Sequence, residues 1–391
     1  MAVTAVVTDI QYRMSLALIR DLAQAGVRVV VCWREGSGAP LGFRSKYPAE
    51  RVTLPAEGWL EALWRLCRRL QEEEGETPAL LPVGAVTLAA LAADRARFDP
   101  VCGLCIPTAE QLDLLNSKEQ VSRLARTLGI PVPRAFSQGE ETWEEFARRV
   151  PYPCVVKPLC GEKLGLTAAD RYGIAAGPAE LERWYSRFSR LAGEPPLVQE
   201  YLPGGGLGCS VLALDGEIQA VLCHRRIREY PVSGGPSACC ESIDRPDLTE
   251  LVRPIAAHLG LTGLAMFEFK EDGSGAPRLL EVNPRIWGTF PLTRVSGSGI
   301  PMLWCTLAWN QGNRGRQAPL PPAKKPRLCR MQFAASDLMS GLGYARRGQW
   351  GKTLSACADT LSPAVRDGLW EWSDPGPGVL YYRSLLRKES R

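Results

Sequence analysis

Two short acidic segments, AMFEFK at 265–270 and RLLEVNPR at 278–285, flank the turn EDGSGAP. If that turn folds the chain back between Ser274 and Gly275, Glu268 stands directly across from Glu281, and Asn283 follows on the same face two residues later. Like charges placed opposite each other repel unless something neutralises them. Two carboxylates and an amide oxygen suit Mg²⁺, which keeps its remaining positions for water and phosphate oxygens. The same residues also fit a surface hairpin whose two glutamates are simply solvated.

Cations surround this pair in the sequence. Lys157 sits in PCVVKP, an apolar strand-like context where an ammonium needs an anion to offset its desolvation; a phosphate would serve, and an edge-strand lysine in solvent is the other reading. Lys118, in LLNSKEQ, can reach the same anion from a helix start, although lysines on polar helices usually face water. In HRRIREYPVSGGPS (224–237), strand alternation points Arg226 and Arg228 the same way, as two planar forks suited to phosphate or carboxylate. Gly234, Gly235 and Ser237 then offer backbone and hydroxyl donors to that anion. Arg285 adds a cation beside the proposed metal. The triple glycine at 204–206 reads as a structural turn, and the strand before it, LVQEYL, as a connector whose backbone can read a base edge.

These residues need a scaffold, and the pattern supplies one. The first 110 residues alternate VTAVVT, a helix over 14–25, VRVVVCW, helices around 58–74 and 85–97, PALLPVG and VCGLCIP, the rhythm of a parallel doubly wound sheet. The first strand-to-helix turn, TDIQYRMS, has no glycine, so a dinucleotide fingerprint is absent. A polar-faced helical segment spans 107–133 and stops at Gly129 and two prolines. Strands of a small subdomain follow, with a helix at 178–192, then a second strand cluster from 197 to 285 interrupted by a helix around 249–260. GNRGRQAPLPPAKKP (312–326) reads as a linker before a C-terminal piece that ends in a helix at 378–389.

Composition narrows the chemistry further. The 391 residues are 45% hydrophobic and 23% charged, as in ordinary globular chains with two or three domains. The N-terminus lacks the basic region of a signal peptide, and no apolar stretch makes a membrane span. Thirteen cysteines without repeated spacing argue for free thiols in a reducing cytoplasm, and the lone Cys102/Cys105 pair is a weak zinc signal. With only His224 and His258 present, a histidine-rich metal site or a serine–histidine triad is hard to build. The net charge of +5 is concentrated from Lys324 onward, where 12 basic residues meet 6 acidic ones, leaving the first 323 residues near −1. No dense basic run with interleaved aromatics points to nucleic acid.

In order, NSKEQVSRLARTLGIPVP, PCVVKP, LVQEYLPG, HRRIREYPVSGGPS, AMFEFK and LLEVNPRIWGT resemble the ATP-grasp superfamily, specifically its carboxylate–amine ligase-like members, over roughly 1–310. The resemblance implies an α/β chain: a Rossmann-like domain (1–110), a small lid subdomain (111–196), a large subdomain (197–315) and a C-terminal extension (316–391). It implies that Lys118 and Lys157 hold ATP phosphates, and that the hinge Gln199, Glu200, Tyr201 and Leu202 reads adenine through the Glu200 carbonyl and the Leu202 amide. Glu268, Glu281 and Asn283 would bind one or two Mg²⁺ ions, with Mn²⁺ as a substitute. Arg226, Arg228 and Arg285 would stabilise the transferring phosphoryl group. The implied reaction activates a small carboxylate as an acyl phosphate and joins it to an amine, in a cytoplasmic and commonly dimeric enzyme. The rival readings are a nucleotide-binding regulatory protein that has lost turnover and a bicarbonate-activating carboxylase. Two departures stand out: PGGGLGCS at 203–210 has no acid for the ribose, and the loop after Lys157 is poor in glycine.

Overall fold

A computed structural model describes residues 3–389 except 160–163, 165, 167–171, 233 and 323. Most of the loop after Lys157, on which the glycine-poor departure falls, lies outside the described residues. Strands β1 (Thr4–Val7), β2 (Arg28–Arg34), β3 (Glu50–Leu54) and β4 (Ala79–Leu81) form a parallel sheet in the order β3-β2-β1-β4. Their near-continuous valine and leucine runs follow from burial on both faces. Val6, Val30 and Leu80 pack with Leu63, Leu66 and Leu70 of the helix Trp59–Glu74, while Ala5, Val7, Val29 and Val31 join a larger core on the other side.

Strands β5 (Ala135–Phe136), β6 (Cys154–Lys157), β7 (Gly173–Ala175) and β8 (Leu197–Glu200) make a second sheet, antiparallel, in the order β5-β8-β6-β7. Phe146, Leu181 and Phe188 from two helices cover Cys154, Val156 and Val198. β8, expected to open the large subdomain, instead pairs within this smaller sheet.

The third sheet holds the chemistry. β9 (Gly206–Leu214), β10 (Glu217–Glu229), β11 (Ser237–Ser242), β12 (Gly263–Glu271), β13 (Pro277–Asn283), β14 (Arg330–Gln332) and β15 (Val365–Asp367) run in the order β13-β12-β9-β10-β11-β14-β15. Alternation along β12 sends Phe267 and Phe269 to one face, against the helices Pro246–Leu259 and Lys118–Thr127, and Leu264 and Met266 to the other, against the N-terminal unit. The expected single helical segment at 107–133 is two helices, Ala109–Asn116 and Lys118–Thr127. Through Leu115, Val121 and Ala125 they pack on the large sheet, not on the small one to which 111–196 was assigned.

The expected division at residue 316 does not coincide with a break in the fold either. β14 pairs with β11 and β15 with β14, so the C-terminal segment extends the large sheet. Among the described residues no helix is long and apolar enough to cross a membrane.

Candidate active site

The β12–β13 turn is organised by Asp272, whose carboxylate accepts from the amides of Ser274 and Ala276, with Gly275 at φ 84°. Near the turn the strands pair as Lys270 with Arg278 and Phe269 with Leu279; a bulge at Leu280 then shifts the register by one, and Glu268 pairs with Glu281 and Met266 with Asn283. The bulge lets Leu279 and Val282 both serve the core while Glu281 stays on the opposite face with Glu268.

Each of the two glutamates is held by a cation from another segment, and Asn283 by one from its own. Lys118 begins the helix Lys118–Thr127, which Ser117 caps by accepting from the Gln120 amide at 3.3 Å, and its Nζ lies 3.1 Å from Glu281 Oε2. Arg226 reaches Glu268 Oε1 at 2.8 Å. Arg285 Nη2 donates to Asn283 Oδ1 at 3.1 Å. Burial raises the Glu268 carboxyl above its ordinary value against the opposing pull of Arg226, and neighbouring Glu281 pushes it further up. For Glu281 burial acts in the same upward direction, but Lys118 and Lys157 together hold it below the usual glutamate range.

Lys157 ends β6 of the small sheet and brings a second ammonium to the carboxylates from across the gap between sheets. Burial, then Lys118, pulls it down to about 8, while Glu281 and Glu268 act the other way. The hinge Gln199–Leu202 leads from β8 to β9. The Glu200 side chain accepts from the Arg134 guanidinium at 2.8 Å and from the Arg134 amide at 3.0 Å. The Tyr201 ring lies under the Lys270 ammonium at 5.1 Å, on the face that carries Glu268. Gln199 and Leu202 are buried.

Arg228 departs from the sequence reading and does not reach this site. On β10 Arg226 pairs with Cys240 but Arg228 pairs with Cys239, so Ile227 is an extra, bulged residue and the strand's alternation is reset. Arg228 therefore points to the other face. There it is 1% exposed and donates to Asp337 at 2.7 Å and to Ser355 at 2.9 Å, and it is paired with Asp359 as well. Cys239, Asp337 and Asp359 cluster as a metal site would. Arg228 and Arg330 already supply the positive charge, so the cluster serves as a knot tying the helices Ala334–Ala345 and Trp350–Leu361 to the sheet.

Two features of the site were not singled out in the sequence. Gly206 and Gly208 alternate on β9 beneath the Arg226–Glu268 pair: a Cβ at Gly206 would lie 3.3 Å from Arg226 Cδ, and one at Gly208 only 2.1 Å from His224 Cε1. Both side chains cross β9 because nothing stands on it there. The signal was available as a two-residue glycine period, Gly204-x-Gly206-x-Gly208, read as a turn. The second feature is His224, which is buried and pushed down to about 3 by desolvation, its Nε2 lying 3.2 Å from Thr289 Oγ1. Two surface clefts, one lined by Arg95, Asp99 and Arg314 and the other by Arg225, Glu241, Arg245 and Arg330, lie away from these carboxylates.

Residues 193–331 match a family model described as ATP-grasp in the biosynthetic pathway with Ter operon. Over 217 residues the chain is 28% identical to the carbamoyl phosphate synthase large chain of Xylella fastidiosa, covering 52% of this chain and 19% of that one. The chain thus spans about a fifth of the length of that relative. Among solved structures it is similar to a biotin carboxylase–ATP complex from Campylobacter jejuni (17% identity, TM-score 0.62, covering 83% of this chain and 73% of that one). It is likewise similar to the ADP complex of an N5-carboxyaminoimidazole ribonucleotide synthetase (13% identity, TM-score 0.60, 89% and 85% covered). The fold is that of the ATP-grasp proteins.

Proposed function

With the ATP-grasp fold as premise, we propose that this chain is a magnesium- and ATP-dependent ligase that activates a small carboxylate as an acyl phosphate and joins it to an amine. The observation that carries the reading is the facing pair Glu268–Glu281, each carboxylate held by a cation of the kind that binds phosphate. Hard oxygen donors at Glu268, Glu281 and Asn283 fit Mg²⁺, and the repulsion within the pair gives the protein a reason to take up positive charge there. When bound, the metal would neutralise charge on the transferring phosphoryl group.

The chain's own groups do the rest by position and charge. Lys118 and Lys157 would exchange their carboxylate partners for phosphate oxygens, and the hinge from Gln199 to Leu202 would seat the base. Arg226 and Arg285 would face the phosphoryl group as it passes to a carboxylate oxygen and ADP departs. The amine then attacks the acyl carbon, phosphate leaves, and the nitrogen loses a proton. Such chemistry asks for preorganised charge, not a protein nucleophile, consistent with a constellation of lysines, arginines and carboxylates.

The test is ADP release that requires a carboxylate, with hydroxylamine trapping a hydroxamate. ATP turnover indifferent to every carboxylate offered would overturn the reading. The likeness to a biotin carboxylase favours a second reading, bicarbonate as the carboxylate, in which case bicarbonate alone would elicit the ADP release.

A further inference from the structure

We propose that Arg13 binds a second anionic group, a carboxylate or phosphate, on the substrate that this ligase activates or on its acceptor; the inference rests on the ligase reading and names the substrate class of that same site. Arg13 stands at the start of the helix Met14–Gln24, in the glycine-free turn that follows β1. Its guanidinium carbon lies 3.3 Å above the centroid of the Phe333 ring, and Tyr381 is beside it. Stacking on an aromatic face leaves the edge donors of a guanidinium available to a planar anion.

The charge has no dedicated counter-ion. Among the described residues Arg13 makes no ion pair, and the carboxylate that acts on it, Asp367, is committed elsewhere, accepting from the amides of Ala334, Leu369 and Trp370 at 2.7–2.9 Å. Three other enclosed arginines of this chain are treated differently. Arg20 lies 2.9 Å from Asp374, Arg228 lies 2.7 Å from Asp337, and Arg294 lies 2.7 Å from Glu371. A half-buried guanidinium whose hydrogen-bonding neighbour is the neutral Tyr381, and which lacks the carboxylate that each of these three has, marks the place of an anion supplied from outside.

Its position says which anion. Phe333 follows β14, its amide donating to the Ala238 carbonyl, and shares a core cluster with Met331. Met331 pairs with Cys240, and Cys240 with Arg226. Phe333 and Arg226 therefore address one face of the sheet, from strands two apart and with Phe333 two residues along from the row Arg226–Cys240–Met331, about 12 Å at the usual spacings. A ligand of amino-acid to dipeptide size, with its reacting group at Arg226, would place its other charged end at Arg13.

The experiment uses the whole 391-residue chain with the nucleotide site filled by magnesium and a non-hydrolysable ATP analogue. Thermal unfolding is followed on adding inorganic phosphate or succinate, for wild type, R13Q and R13K. The expected result is a rise in wild-type Tm with at least one probe, lost in R13Q and weakened in R13K, while the shift caused by the nucleotide itself is the same in all three. Which probe acts separates carboxylate from phosphate. In turnover, R13Q should raise the KM of an acidic substrate about 100-fold, with kcat little changed, and leave its amide analogue at the wild-type value. Equal anion shifts in wild type and R13Q, no shift in either, or equal KM changes for acid and amide would overturn the assignment of Arg13. Failure of every carboxylate to elicit ADP release, with the Arg13-dependent anion shifts intact, would sink the ligase reading and leave the anion site standing.

Discussion

Glu268 and Glu281 stand opposite each other on adjacent antiparallel strands, and each is tethered by a cation from a different segment, Arg226 at 2.8 Å and Lys118 at 3.1 Å. Without nucleotide, the protein's own cations take the place of a metal's charge. The proposed ligand-binding state is then a charge exchange: the cations turn to phosphate while the carboxylates take the metal.

Replacing either glutamate should therefore separate binding from turnover. E268Q and E281Q keep shape and one acceptor oxygen but halve the charge offered to a metal, and should lower kcat by about 10²–10³-fold. Rapid-quench measurement of ADP formation checks this, and unaltered rates in both variants would remove the pair from the site.

Magnesium should decide how strongly nucleotide protects the fold. At about 100 times its dissociation constant a ligand contributes about 2.7 kcal/mol. MgATP should raise Tm accordingly, and ATP in excess EDTA much less, because the phosphates then face two uncompensated carboxylates. Equal protection with and without the metal would contradict the donor set.

Lys157 should impose a pH dependence on nucleotide affinity. Its folded value is drawn down to about 8 from an ordinary 10.5, mainly by burial, so in the free protein the ammonium is charged below about 8 and neutral above it. Phosphate favours the charged form. Above about 8 binding must take up a proton, and affinity should fall by up to about tenfold per pH unit. Titration with a fluorescent ATP analogue from pH 7 to 10 measures the slope; K157R should flatten it.

Arg228 should matter to stability and not to nucleotide. Removing one partner from its buried network with Asp337 and Asp359 leaves uncompensated charge, a loss of about 3–5 kcal/mol. R228M should unfold at lower urea yet bind the ATP analogue as wild type does once folded. R226M should show the reverse balance, a large loss of turnover with a smaller loss of stability, because the Arg226–Glu268 pair is less enclosed than the Arg228 network. A shared phenotype would return both arginines to one site.

Gly208 tests the open lane across β9. A methyl group there would collide with the His224 ring, so G208A should cost about 1–3 kcal/mol by overpacking. The double variant G208A/H224A should recover much of it, a coupling readable from denaturant midpoints.

The amino-acid sequence by itself determined what local rules govern. That Glu268 and Glu281 lie on neighbouring strands follows from turn chemistry over fewer than twenty residues, whereas their direct facing also needs the bulge at Leu280, which regular alternation does not show. The N-terminal parallel sheet follows from runs apolar enough for burial on both faces. Lys118 at a helix start follows from Ser117, a good cap. Tertiary structure alone decided what depends on partners distant in sequence. The bulge at Ile227, which parts Arg226 from Arg228, is set by pairing with β11 and by Asp337 and Asp359, more than 100 residues on. The entry of β14 and β15 into the large sheet, and the seating of Arg13 on Phe333, likewise join segments from opposite ends of the chain. Alternation tells which residues share a face only while the ladder is regular, and whether it stays regular is settled by the strand alongside.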